Sequence, residues 1–112
     1  MKKSLIAVGC FLAVLAVGQD KKNGKGGAGD ATKGKDVFES NCSVCHNADS
    51  EEKKMGPGLK DLTKKDKLVN GKKPTDANLK ALINAGGNGM PSYADMLTDE
   101  EKANVIAYLK TL

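Results

Sequence analysis

Two cysteines separated by two residues and followed at once by a histidine, Cys42-Ser43-Val44-Cys45-His46, concentrate the reactive chemistry of this 112-residue chain. Each thiol can add across one vinyl group of a haem, and the adjacent imidazole is then delivered to the iron. Other uses of the same residues fit less well. A redox dithiol would sit in a βαβ setting at a helix N-terminus, and no such pattern surrounds it. A zinc site needs a fourth ligand, yet beyond residue 18 the chain holds no other Cys or His. A disulfide across two residues would constrain almost no unfolded-chain entropy and would leave His46 without a role.

Iron so held needs a second axial ligand or an open position. Because His46 is the only histidine, the protein ligand most available is a methionine thioether, with Met55, Met90 and Met96 as candidates. Met90 follows Gly86, Gly87 and Gly89 and precedes Pro91, so it lies on a loop whose residue 90 is held extended and able to bring sulfur over a flat ring. Met55 lies nine residues after His46, too near to reach the opposite face. Met96 stands just before a helix start, where an apolar residue is expected to pack into the core. Met90 is the expected ligand.

Helices must position these groups, because apolar residues from Ala31 onward recur at helical rather than alternating spacing. The expected fold class is all-α, with three to four helices around one bound haem. Gly34, Phe38 and Cys42 stack on one face of a first helix, capped by Asp30 or Thr32. A second helix carries Leu79, Leu82 and Ile83, is capped by Thr75 or Asp76, and stops at Gly86-Gly87. In the third, Thr98-Asp99-Glu100-Glu101 forms a capping box with acids in the first turn. There Val105, Ile106, Leu109 and Leu112 make one apolar stripe, which the pattern carries to the C-terminus. Leu62 and Leu68 suggest a further short helix, ended by Gly71 and Pro74.

Composition is consistent with a cofactor at the centre. The 82 residues from 31 to 112 include three aromatics and no Trp, so a covalently held macrocycle would supply the apolar bulk that the chain lacks. The chain has room for one small domain. Residues 1–18 place Lys2 and Lys3 ahead of an uncharged run, which reads as a cleaved signal peptide and puts the remainder in the periplasm or another extracytoplasmic space. The run is shorter than the roughly 20 residues of a membrane helix, so a membrane enters only if the leader is retained. Residues 19–30, QDKKNGKGGAGD, read as a flexible Gly/Lys linker. Of the 18 cationic residues against 14 acids, five Lys and two Asp fall before residue 31. The remaining part is thus nearly neutral, and no nucleic-acid partner is expected.

With CSVCH, GPGL at 56–59, GMP at 89–91, GKDVF at 34–38 and VIAYLK at 105–110 in this order, the chain resembles a class I monohaem cytochrome c over residues 31–112. That resemblance implies Cys42 and Cys45 as thioether sites, His46 as proximal ligand and Met90 as distal ligand to a single haem c iron. It implies that the Pro57 carbonyl accepts a hydrogen bond from the proximal imidazole. It further places Gly34 and Phe38 where first and last helices cross, against Ile106, Tyr108 and Leu109. Lacking Trp and Arg, the chain must meet the haem carboxylates with Tyr, Asn, Lys or backbone groups. The implied function is single-electron transfer between extracytoplasmic redox partner proteins, without enzymatic turnover. The competing readings are a haem-based ligand sensor or small peroxidase, and a non-diffusing redox subunit of a respiratory complex. The segment from Lys53 to Lys73 has eight Lys against Asp61 and Asp66. It reads as a solvated surface loop or as a docking patch for an acidic partner.

Overall fold

The computed structural model describes residues 29–112, so the expected leader and the linker up to residue 28 lie outside the described residues. Among the described residues three α-helices follow in the order α1 (Ala31–Asn41), α2 (Asp76–Ala85) and α3 (Asp99–Leu109), with no strand. The all-α expectation holds. Among the described residues no helix is long and apolar enough to cross a membrane.

Each helix begins where a side chain satisfies the otherwise unpaired amides of its first turn. For α1 that side chain is Asp30, which accepts from Thr32 N at 2.9 Å and Lys33 N at 3.2 Å. For α2 it is Thr75, which accepts from Asn78 N. For α3 the capping box forms reciprocally, with Glu101 N donating to Thr98 Oγ1 at 3.1 Å and Thr98 N donating to Glu101 Oε2 at 2.8 Å. α2 ends at Gly86, whose φ of 63° turns the chain out of the helix.

The first and last helices cross at Gly34. A Cβ at this position would lie 1.9 Å from the backbone oxygen of Asn104, so only glycine lets the two helices approach this closely. One turn on, the rings of Phe38 and Tyr108 meet at a tilt with centroids 5.4 Å apart. The crossing is closed at its end by Asp30 N, which donates to Asn104 Oδ1 at 2.8 Å. Residues 29 and 30 therefore already pack on α3, since a Cβ on Gly29 would collide with the Ala103 carbonyl. The buried stripe of α3 is Val105, Ile106 and Leu109, facing Phe38, Leu79 and Ile83 in one core.

Three expectations need correction, and the last helix buries two polar residues besides. The stretch from Leu62 to Leu68 forms only a short 3₁₀ turn, Leu62–Lys64, because Lys65 returns to extended backbone and Leu68 enters the core from a loop. The third helix stops at Leu109 rather than at the terminus, with Leu112 folded back against the core. Met96 is not packed core: it is 62 % exposed, and its neighbour Leu97 turns inward instead. Two consecutive apolar residues ahead of a helix cap cannot both face the core, and the backbone bond from Leu97 N to Tyr93 O selects Leu97. Finally, Lys102 and Asn104 lie buried on α3 among the apolar residues, with Lys102 Nζ donating to the Ala94 carbonyl at 2.9 Å. Charged residues are buried only when such partners exist.

Candidate cofactor site

The Cys42 to His46 segment leaves α1 as a continuation of its last turn. Cys42 N donates to Phe38 O at 2.7 Å, and both Cys45 N and His46 N donate to Cys42 O. This winding brings both thiols and the imidazole to one side of the chain. Cys42 and Cys45 are free thiols rather than a disulfide. Burial, with the neighbouring Cys45 second, pushes the Cys42 thiol up to about 11, so it is neutral at ordinary pH.

His46 is fixed from two directions. Its Nδ1 stands 2.8 Å from the Pro57 carbonyl, and because a carbonyl only accepts, Nδ1 carries the proton. Nε2 is left with its lone pair available. The ring is also held by Gly56, where a Cβ would come within 2.5 Å of His46 Cε1. The 56–59 turn is thus shaped around the imidazole, and Gly56 N reaches back to the Cys45 carbonyl.

Facing these groups is a cavity of about 600 Å³, lined by Cys42, Cys45, His46, Pro57 and Met90 together with core side chains such as Leu68, Leu79, Leu82 and Ile83. That volume lies within the range of cofactor sites, and the walls are predominantly apolar with a few polar groups at the mouth. Met90 is half-buried at its wall. Met55 stands at the rim, 75 % exposed, and Met96 does not line the cavity. The arrangement fits one flat, largely apolar cofactor bonded through two sulfurs and ligated from His46. Among the described residues no group of three or more His, Cys, Asp or Glu could hold a metal ion by itself.

Sequence reasoning missed two contributors. Gly56 could have been found from its place directly before Pro57 in GPGL, where a glycine permits close approach to a neighbouring ring. Tyr93 lies three residues after Met90 and is nearly fully buried at the cavity wall. Its phenol donates to the Asn41 carbonyl at 2.9 Å. Burial, followed by the two thiols, pushes that phenol above its ordinary range, so it remains a donor. An aromatic beside an extended Met-Pro pair was the available signal. The eight lysines between residues 53 and 73 are all exposed. Only Lys53 and Lys72 of these line the cavity.

Comparison with known proteins gives consistent results. The family model described as cytochrome C oxidase, cbb3-type, subunit III matches residues 29–109. Cytochrome c6 from Rippkaea orientalis is 37% identical over 82 residues, covering 73% of this chain and 70% of that protein. Cytochrome c6 from Bryopsis maxima is 38% identical over 85 residues, covering 72% and 90%. Cytochrome c-550 from Bacillus subtilis is 32% identical over 99 residues, covering 80% and 75%. Among solved structures, cytochrome c6 from the diatom Phaeodactylum tricornutum superposes with a TM-score of 0.60 at 30% identity, covering 74% of this chain and 93% of that one.

Proposed function

The chain belongs to the class I c-type cytochrome family, and on that premise we propose that Cys42 and Cys45 form its thioethers while His46 and Met90 ligate the iron. It is a single-electron carrier with one covalently bound haem c, and not an enzyme. When bound, the haem supplies an iron that cycles between ferrous and ferric. The observation that carries the ligand assignment is that both thiols, the imidazole and Met90 line one and the same cavity. Met96 does not line that cavity, and Met55 stands only at its rim, 75 % exposed.

The chain's own residues account for the site's properties. The Pro57 carbonyl holds the Nδ1 proton of His46, which orients the ring and leaves Nε2 for the metal. With His46 nitrogen and Met90 sulfur both holding the iron, the group would supply electron transfer rather than substrate binding, and Met/His ligation would raise its potential. The apolar walls from Leu68, Leu79 and Ile83 exclude water and limit rearrangement on electron transfer.

Around the mouth, Lys53 and Lys72 stand beside the exposed apolar side chains of Met55 and Val69. This rim is the proposed docking surface for an acidic redox partner, in which the charges raise the association rate and the apolar groups make close contact. The work is carried out outside the cytoplasm, as the sequence of residues 1–18 supports.

The decisive experiment combines mass and spectrum. Matured protein should retain its haem through acidified organic solvent and carry its mass on the polypeptide. The oxidised form should display the sulfur-to-iron charge-transfer band, and Met90→Ala should lose the band, lower the potential and bind carbon monoxide when reduced. Extractable haem would defeat the Cys42 and Cys45 assignment. A band that survives Met90→Ala would defeat the distal assignment.

A further inference from the structure

We infer that Tyr93 is a positioning residue for Met90, tying the loop that presents the distal sulfur to the end of the helix that presents the first thiol. The inference rests on the reading of Met90 as distal ligand.

Met90 follows a segment with little rigidity of its own. Gly86, Gly87, Asn88 and Gly89 all take positive φ, at 63°, 115°, 52° and 91°. Glycine-rich backbone of this kind loses much conformational entropy when held in one shape. Locally the segment has a reciprocal pair of backbone bonds between Gly87 and Met90, at 2.9 and 3.0 Å. That pair closes the turn on itself. Neither bond of that pair opposes a swing of the turn as a unit relative to the cavity.

The tethers that oppose this swing follow Met90. Ser92 Oγ donates to the Asn84 carbonyl, and Tyr93 N donates to the Ile83 carbonyl at 3.0 Å. Both reach only α2, the helix from which the turn itself departs. The Tyr93 phenol differs: it crosses to the Asn41 carbonyl at 2.9 Å, 52 positions away in the chain. Asn41 is the last residue of α1 and directly precedes Cys42. Its carbonyl belongs to the last turn, whose acceptors a helix cannot satisfy from within. One buried side chain therefore joins the two sides of the cavity, and it does so with its ring in the cavity wall.

The consequence is a bias on the sulfur's release. For Met90 to leave, the 87–93 segment must move, and that motion stretches the Tyr93 to Asn41 bond. Tyr93→Phe keeps the buried ring and removes only the bond. An intramolecular hydrogen bond of ordinary strength shifts such an equilibrium by about fivefold.

The test is a titration of the oxidised holoprotein with imidazole, which gains a position only when Met90 vacates it. Tyr93→Phe should bind imidazole about fivefold more tightly than wild type while keeping the sulfur-to-iron band before ligand is added. Thr75→Ala, which removes the α2 cap and lowers stability to a similar degree, should leave imidazole affinity unchanged. An affinity for Tyr93→Phe within twofold of wild type overturns the inference. So does an equal gain in Thr75→Ala, because the effect would then be loss of stability alone. A wild type without the band, or Met90→Ala with it, overturns the ligand assignment and is read from spectra that do not involve Tyr93→Phe at all.

Discussion

Replacing Gly34 with alanine should destabilise the protein, although alanine is the better helix former. At an unhindered helix position the exchange gains about 1 kcal/mol. Here the new Cβ would fall 1.9 Å from the Asn104 oxygen, 2.4 Å from its carbon and 2.9 Å from Tyr108 Cβ. A carbon and a carbonyl oxygen meet comfortably near 3.3 Å, so α1 and α3 must separate by roughly 1.4 Å along that direction. Two of the three atoms belong to helical backbone, so no rotamer change relieves the clash. A gap of that size forfeits a large part of the dispersion energy between the facing side chains, here Phe38 against Tyr108 and Ile106. It also strains the bond from Asp30 N to Asn104 Oδ1. Overpacking at a rigid contact costs about 3 kcal/mol, leaving a net loss of about 2 kcal/mol after the propensity gain. For a domain of this size that corresponds to a fall in Tm of roughly 8 to 16 °C. Guanidinium and thermal unfolding of the holoprotein, followed by helical circular dichroism, measure it directly. A Gly34→Ala protein as stable as wild type would refute the claim that close backbone approach sets this crossing.

Three further outcomes follow from the site. Gly56→Ala should displace the His46 ring, since its Cβ would sit 2.5 Å from Cε1, and should lower holoprotein stability by about 1 to 3 kcal/mol; an unchanged melting curve would contradict that contact. Met55→Leu and Met96→Leu should each keep the charge-transfer band at a cost below about 1.5 kcal/mol, because both side chains are exposed, and loss of the band in either would count against Met90. Haem-free protein should show little helix and no cooperative transition, and alkylation of Cys42 should follow an ordinary thiol titration near 8.5. The folded arrangement would instead hold that thiol neutral up to about 11. The sign is clear: a thiol pKa raised by folding favours the haem-free fold fully below the unfolded pKa, and that contribution is lost as pH rises through about 11. A Cys42 midpoint near 11 would therefore reveal a folded apoprotein.

Legibility in the sequence tracked how local the signal was. The Thr98 capping box, the Asp30 cap and the Gly86 stop depend on residues within one turn, so their patterns could be read directly. The CSVCH segment was equally local. By contrast, Met96 and Leu97 are equivalent as apolar residues before a cap, and only a backbone bond to Tyr93 decides which one faces inward. Lys102 and Asn104 are polar residues on a helix whose apolar stripe does not include them. They are buried because their partners, the Ala94 carbonyl and the amide of Asp30, come from distant segments. The short Leu62–Lys64 turn failed to extend because Leu59 and Leu68 enter the core from loops on either side. Where a residue's role depends on something 50 or more positions away, as for Tyr93 and Asn41, periodicity carries no trace of it.

The crossing of α1 with α3 also sets a schedule for the chain's manufacture. Because Gly34 rests on Asn104 and Asp30 is clasped by the same residue, the first helix lacks its main packing surface until residues past 104 have been synthesised. Contacts of such sequence separation are slow to form, since a long loop must close before they reward it. An emerging chain therefore presents Cys42 and Cys45 on an unpacked segment for most of its synthesis. Of the described helices, the one made latest completes the core around α1.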